Sequence, residues 1–215
     1  MAIRKHYGIP FGAYCRKITR GVQLTKMQTV QCHSAVPTGY RYITLATLES
    51  GMNIELDIST LPYFDPAPLG KNVDQFCIKK DMILLSKNDT PYKIELVGDI
   101  GDEKIVATGN IYMITADPKK ILPACLCFWL KSNRGMMTLK NASATTNDKM
   151  KWISIKQLKE MLVPEFSAEE QGMIIAEKIQ EVNAVMMSVK RQVQDLGKLL
   201  CALKNTIPDP NEQGE

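Results

Sequence analysis

The chain lacks any apolar run long enough to cross a bilayer: the longest, Ile121 to Leu130, is ten residues, against the ~20 that a spanning helix needs. The opening MAIRKHYGIPFGAY is basic but has no apolar stretch behind it, so it does not read as a signal peptide. Histidine is scarce. His6 and His33 lie near no Ser or Cys on a glycine elbow, which leaves a nucleophilic triad without support. GxGxxG, P-loop and HExxH motifs are all absent. The six cysteines (Cys15, Cys32, Cys77, Cys125, Cys127, Cys201) include no CxxC pair and fit reduced thiols in a cytoplasm. Cys32-His33 and Cys125-x-Cys127 lack two further ligands at usable spacing, so no metal is expected. Asp99, Asp102 and Glu103 cluster as the acids of a divalent-metal nuclease would, yet read as an exposed turn. These absences point away from an enzyme.

What is present is a long, regular helix. Apolar residues stand at Ile175, Ile179, Val182, Met186, Val189, Val193, Leu196, Leu200 and Leu203, in steps of four and three without a miss. That spacing keeps one seam on one side of a helix, as in a coiled coil. Ser167-Ala-Glu-Glu170 is a capping box that starts it, and Pro164 ends what precedes. A helix from about residue 168 to 204 would run ~55 Å at 1.5 Å per residue. Val185, Leu199, Ala176 and Gly197 widen the apolar stripe beyond what a two-stranded coil needs, and Lys178, Lys190 and Lys204 flank the seam with few acids to pair with. A partner's helices joining the bundle explain this better than a helix folded onto its own head.

The remainder reads as an α+β head, mostly β with short helices. Strands are expected at Tyr40 to Leu48, Met82 to Ser86, Tyr92 to Val97, Lys104 to Ala107 and Ile111 to Thr115, each rich in Ile, Val, Tyr and Thr. Pro123 to Ser132 is expected to be a helix with Trp129 in the core, and a second capping box at Ser154-Ile-Lys-Gln157 opens a short helix. The expected division is a head over 1–164, a spacer and dimerisation helix over 165–206 and a disordered tail over 207–215. Net charge is +4, unevenly spread: residues 1 to 50 carry +6 and residues 101 to 150 carry +3, while the stretches between and after are mildly acidic. A basic head suits a polyanion, and a near-neutral rod suits a protein partner.

In order, the segments are Asp81-Met-Ile-Leu-Leu-Ser86 with its Lys-Asn-Asp turn, a strand into Ala107-Thr-Gly-Asn110, the helix Ile121 to Leu130, a Ser/Thr-rich loop at Asn141 to Asn147, Trp152-Ile-Ser-Ile-Lys-Gln-Leu158, and Val163-Pro-Glu-Phe-Ser-Ala-Glu-Glu-Gln171. Together they resemble the DNA-specificity subunit of type I restriction-modification systems. The Gly usual before the Asp81 strand is Lys80 here, and the Ser-Gly-Thr of the loop reads Ser143-Ala-Thr145. The resemblance implies a target-recognition domain that reads a few base pairs of double-stranded DNA. It also implies a long helix docking a DNA methyltransferase subunit, which would carry S-adenosylmethionine, and, in complexes that restrict, a restriction subunit. Members usually hold two such domains and two helices. This chain shows one of each, so a half-subunit is expected that pairs antiparallel with a second copy, the paired rods holding two heads apart by roughly 16 bp of B-DNA at 3.4 Å per step over inverted half-sites. The alternative is a coiled-coil adaptor or decoy that binds methyltransferase subunits without reading DNA.

Base reading and phosphate contact need amides, hydroxyls and cations on projecting loops. Lys87 and Asn88 meet that description in one loop. Lys140, Asn141, Ser143, Thr145, Thr146, Asn147 and Lys149 meet it in another, and Arg134, Tyr40 and Arg41 are further candidates.

Overall fold

The computed structural model describes residues 8–48, 58–88, 91–146 and 150–206. Two compact units divide the chain, Met1–Gln171 and Gly172–Glu215. In chain order the first carries β1 (Ile9–Pro10), β2 (Cys15–Arg20), α1 (Lys26–Gln31), β3 (His33–Ser34), β4 (Tyr40–Ile43), β5 (Tyr63–Phe64), β6 (Met82–Ser86), β7 (Ile94–Leu96), β8 (Lys104–Ala107), β9 (Ile111–Ala116), α2 (Pro123–Lys131), α3 (Asn133–Ala142), β10 (Ala144–Thr146), β11 (Met150–Trp152), α4 (Ile155–Glu160) and β12 (Leu162–Val163). The long helix α5 (Ala168–Thr206) begins in this unit and forms the described part of the second.

Two four-stranded sheets organise the head. One has the order β2-β9-β6-β7 and is antiparallel throughout, with Ile83 opposite both Ile114 and Leu96. The other has the order β3-β5-β4-β8, where β4 and β8 run parallel with Ile43 beside Ala107. Alternation along each strand sorts its side chains between layers. Leu84, Ile111 and Met113 from the first sheet meet Ile43, Ile105 and Ala107 from the second in one cluster. Tyr42 and Val106, one residue out of phase, face the far side with Val22, Phe64 and Val73. Helix α2 packs on β6, β7 and β9, and its Cys125, Leu126 and Leu130 are buried. Ile83, Leu84 and Leu85 are therefore all fully buried, as a strand covered on both faces requires. Truncating such a residue to Ala typically costs ~2–5 kcal/mol.

The strands expected at Met82 to Ser86 and Lys104 to Ala107 form with those bounds, and Trp129 is in the core at 7% exposure. Three expectations change. The strand from Tyr40 stops at Ile43, because Thr47 Oγ1 accepts the Thr44 N–H at 2.8 Å and the Leu48 N–H bonds to the Thr44 carbonyl at 2.9 Å, closing a turn. The stretch after α2, expected to lead into a polar loop at 141–147, instead forms α3 and then β10. Ser132 ends one helix and caps the next, its Oγ accepting the Gly135 N–H at 3.1 Å and donating to the Trp129 carbonyl at 2.6 Å. A Cβ at Gly135 would lie 2.1 Å from that carbonyl, so only glycine lets the helices meet there. Finally, the conformation that a glycine would favour before β6 is taken by Asp81 itself, at φ 65°, and not by Lys80.

The capping box of α5 is present: Glu170 Oε2 accepts the Ser167 N–H at 2.8 Å and Ser167 Oγ accepts the Glu170 N–H at 3.1 Å. One turn on, the buried Gln171 accepts the Leu122 N–H at 2.9 Å and donates to the Phe166 carbonyl at 3.2 Å. The residues expected as a tail, 207–215, lie outside the described residues.

Candidate nucleic-acid interface

Lys87 and Asn88 leave the buried end of β6, where Ser86 Oγ donates to the Asn88 carbonyl at 3.1 Å and accepts the Lys93 N–H at 2.8 Å. The Lys87 N–H bonds to the Asn110 carbonyl at 2.8 Å, the Lys87 carbonyl accepts the Ile153 N–H at 3.1 Å, and Asn88 bridges to Trp152. Trp152 belongs to β11, whose partner β10 holds Thr145 and Thr146. Backbone pairing thus brings the two expected loops to one place. Tyr112 fixes the base of this junction, its buried hydroxyl donating to the Ile153 carbonyl at 2.7 Å.

Two cations, Lys87 and Arg20, meet at this junction. Lys87 Nζ lies 4.9 Å from the centroid of the Trp152 ring. Burial, and then the charge of Arg20, lower the pKa of Lys87. Arg20 donates to the Gly109 carbonyl through Nε at 3.2 Å and Nη2 at 3.1 Å, and Gln23 Nε2 donates to the same oxygen at 3.1 Å. Beside them opens a cleft of about 360 Å³ lined by Gln23, Thr29, Thr44, Thr108 and Asn110 among others, with no acid among the described residues of its walls. Cations, amides and hydroxyls without a carboxylate are what a phosphate backbone and base edges require. The sequence reading passed over Arg20, Gln23 and Asn110. Arg20 stood among the cations of the basic first fifty residues, but nothing in the sequence set it beside Lys87.

Other expected residues sit elsewhere. Arg41 is committed to internal contacts: Nη1 donates to the Leu61 carbonyl at 2.7 Å, Nε lies 3.5 Å from Glu103, and the guanidinium stacks 4.5 Å from the Tyr63 ring centroid. Tyr40 donates to Asp74 at 2.9 Å, beneath Lys104. Neither side chain projects from a loop. Arg134 is exposed in the first turn of α3, not at the end of the preceding helix. Lys140 and Asn141 are exposed in its last turn, so they lie on a helix and not on a loop. Ser143 is half-buried, bonded to the Tyr92 hydroxyl and donating to the Leu139 carbonyl at 2.6 Å, so its hydroxyl is used within the fold. Thr145 and Thr146 are in β10, while Asn147 and Lys149 lie outside the described residues.

The acids that resembled a nuclease cluster are held in a turn. Asp99 accepts the Gly101 N–H at 3.0 Å and lies 3.5 Å from Lys80, and that backbone bond followed by the Lys80 charge lowers its pKa. Lys104, two residues after Asp102, is tied to Asp74 at 3.2 Å. Among the described residues no group of three His, Cys, Asp or Glu could hold a metal ion. Burial pushes Cys15 and Cys127 up to about 12 and Cys125 up to about 11, so these thiols stay protonated and weakly nucleophilic at neutral pH. No described helix is long and apolar enough to cross a membrane.

On α5, Ile175 and Val182 are half-buried, while Ile179, Met186, Val189, Val193, Leu196 and Leu200 are between 51 and 64% exposed. Met173, Val185, Met187 and Leu199 add further exposed apolar surface. Lys178, one of three seam-flanking lysines expected to have few acids to pair with, pairs with Glu181 at 2.6 Å. Leu203 lies on the helix.

No protein-family model and no curated protein matches the chain. Solved structures do. The HsdS subunit from Thermoanaerobacter tengcongensis aligns over 100% of this chain and 52% of its own, at 17% identity and a TM-score of 0.58. A chain from a structure of the type I restriction-modification system, concerned with complex assembly and conformational transition, aligns over 100% of this chain and 53% of its own, at 17% identity and a TM-score of 0.57. The chain therefore has the fold of a type I restriction-modification specificity subunit and spans about half the length of those it matches.

Proposed function

We propose that the chain is a DNA-specificity component of a type I restriction-modification system and carries no catalytic step of its own. The head reads one half-site of double-stranded DNA. Helix α5 pairs antiparallel with a second such helix, from a second copy of the chain, and docks a methyltransferase subunit that supplies S-adenosylmethionine and the chemistry. The observation that carries this reading is the exposed apolar seam of α5 following a head of the specificity-subunit fold. Six seam residues left in water along a 39-residue helix call for partner helices, since burying each would gain roughly 1.5–3 kcal/mol.

The polar junction of Lys87, Asn88, Arg20 and Gln23 supports DNA as the ligand of the head over an adaptor role without DNA reading. Its groups are those that meet phosphates and base edges, and the described residues of its cleft include no acid. Mapping modified bases in a genome carrying the gene, and in its deletion, tests the proposal. An inverted two-part methylation motif that disappears on deletion is the expected result. An unchanged methylome would overturn it.

A further inference from the structure

A single turn between β8 and β9 gathers two cations. The carbonyl of the buried Gly109 accepts Arg20 Nε at 3.2 Å, Arg20 Nη2 at 3.1 Å and Gln23 Nε2 at 3.1 Å. The next carbonyl, that of Asn110, accepts the Lys87 N–H at 2.8 Å. Arg20 ends β2 and Lys87 follows β6, and these strands flank β9 on either side, so neighbouring strands bring both residues to the same turn. The backbone allows a close approach there. A Cβ at Gly21 would stand 2.2 Å from the Ala107 carbonyl oxygen, and one at Gly109 would stand 1.9 Å from Gln23 Nε2.

Neither charge is answered within the described fold. Arg16 and Arg41, on the same stretch of chain, pair with Asp117 and Glu103. Arg20 and Lys87 meet no carboxylate among the described residues. The acceptors of Arg20 are the Gly109 carbonyl and, at 3.3 Å, Gln23 Oε1, while Lys87 has the face of Trp152. Holding two like charges together, with Lys87 partly desolvated, costs free energy that neutral acceptors do not offset. The donors of Arg20 are divided to match. Nε and Nη2 are taken up by Gly109 and Gln23, and Nη1 makes no hydrogen bond among the described residues. A guanidinium fixed along one edge beside an ammonium suits an anion with several acceptor oxygens. Duplex DNA presents such a group at every step of its backbone.

Resting on the DNA-reading function above, we propose that Arg20 and Lys87 grip one and the same phosphodiester of the duplex, and that Gln23 is the positioning residue that aims Arg20 at it. Gln23 holds the guanidinium against the Gly109 turn without neutralising it, which a glutamate at this position would do. The shared contact fixes the register of the head on DNA and carries no sequence information of its own.

The full chain first enriches a duplex from a random library, and that duplex is then made with one uncharged methylphosphonate linkage at each position in turn. Wild-type binding should fall roughly tenfold or more at one linkage per half-site, the fold-change of a hydrogen bond to a charged group. Arg20→Ala and Lys87→Ala should both become indifferent to that same linkage while the other linkages keep their effects. The double variant should lower the salt slope by about one, as either single variant does, and not by two. Gln23→Glu and Gln23→Met both remove the hydrogen bond to Gly109, but the first alone sets a carboxylate beside Arg20, so it should bind roughly tenfold more weakly than the second. Gln23 is exposed, and circular dichroism should find both variants folded. Two different linkages for Arg20 and Lys87, or equal binding by the two Gln23 variants, would overturn the proposal while leaving the DNA-reading function intact. A wild-type chain that enriches no duplex removes that function, and the shared contact with it.

Discussion

The ammonium of Lys87 stands over the ring of Trp152, 4.9 Å from its centroid, although 65 residues separate the two in sequence. Burial and the neighbouring Arg20 both disfavour the charge of Lys87, and a bound phosphate would restore it.

Lys87→Ala should therefore weaken binding to every duplex alike and lower the salt slope by about one. The pH dependence has a definite sign. Because the folded pKa lies below the ordinary 10.5, the contact is lost as pH rises through that lowered value, and affinity falls before 10.5 is reached. Lys87→Arg should abolish that alkaline loss. The unbound head gains from losing the charge, so Lys87→Met should be no less stable than wild type at neutral pH. Anisotropy titrations across the alkaline range check the first part, and denaturant midpoints check the second.

A second expectation concerns Asp81, held at φ 65° in the turn before β6. Asp81→Gly relieves a left-handed conformation and should raise stability by about 0.5–1 kcal/mol, the steric gain offset in part by glycine's chain entropy. Lys80→Gly has no such strain to relieve and should be neutral or destabilising. Urea midpoints of the two variants that ranked the other way would refute this account of the turn.

The central strands were legible because burial on both faces leaves continuous apolar runs such as Met82 to Ser86, and α5 because its caps and seam are written in single residues. Helix α3 was not. Its Asn133-Arg134-Gly135 start and Lys140-Asn141 end are polar, and in this ten-residue helix only Gly135 and Leu139 are buried, too little for a periodic signal. Strand β2 was hidden likewise, since its Arg16 and Lys17 are exposed and Ile18 alone is fully buried. For the interface, residue type pointed to Lys87 and Asn88, but chemistry alone could not separate Arg41, which the Leu61 carbonyl and Glu103 hold, from Arg20, which the Gly109 carbonyl and Gln23 hold beside the cleft and Lys87. That distinction depends on tertiary contacts up to 89 residues apart.

The start of α5 makes a third prediction. Ser167→Ala removes one half of the capping box and should cost ~1 kcal/mol of helix stability. Gln171→Leu leaves the Leu122 N–H without its acceptor and should cost a further ~1–3 kcal/mol, felt by the head because Leu122 precedes α2. Hydrogen exchange at Leu122 should accelerate in the Gln171 variant and not in the Ser167 variant.

The seam predicts assembly. Val189→Asp with Val193→Asp would place unpaired charge in a buried interface and should turn a dimer into a monomer. Light scattering at micromolar concentration reads this directly. Both positions are exposed in the single chain, so the substitutions should leave the head's melting unchanged. A wild type that stays monomeric even with its methyltransferase partner would remove helix pairing from the proposed function.

If paired α5 helices set the distance between two heads, their length is the ruler for the gap between half-sites. The helix of 39 residues extends ~58 Å at 1.5 Å per residue. Inserting one heptad after Val189 keeps the seam in phase, since the apolar pattern repeats every seven residues, and adds about 10 Å. At 3.4 Å per base pair the preferred gap should grow by about three base pairs, while each half-site sequence stays as it was. A four-residue insertion breaks the phase and should instead impair pairing. Methylation mapping of the two variants separates these effects: a lengthened gap with constant half-sites identifies α5 as the spacer, and an unchanged gap in the heptad variant shows that the separation is set elsewhere.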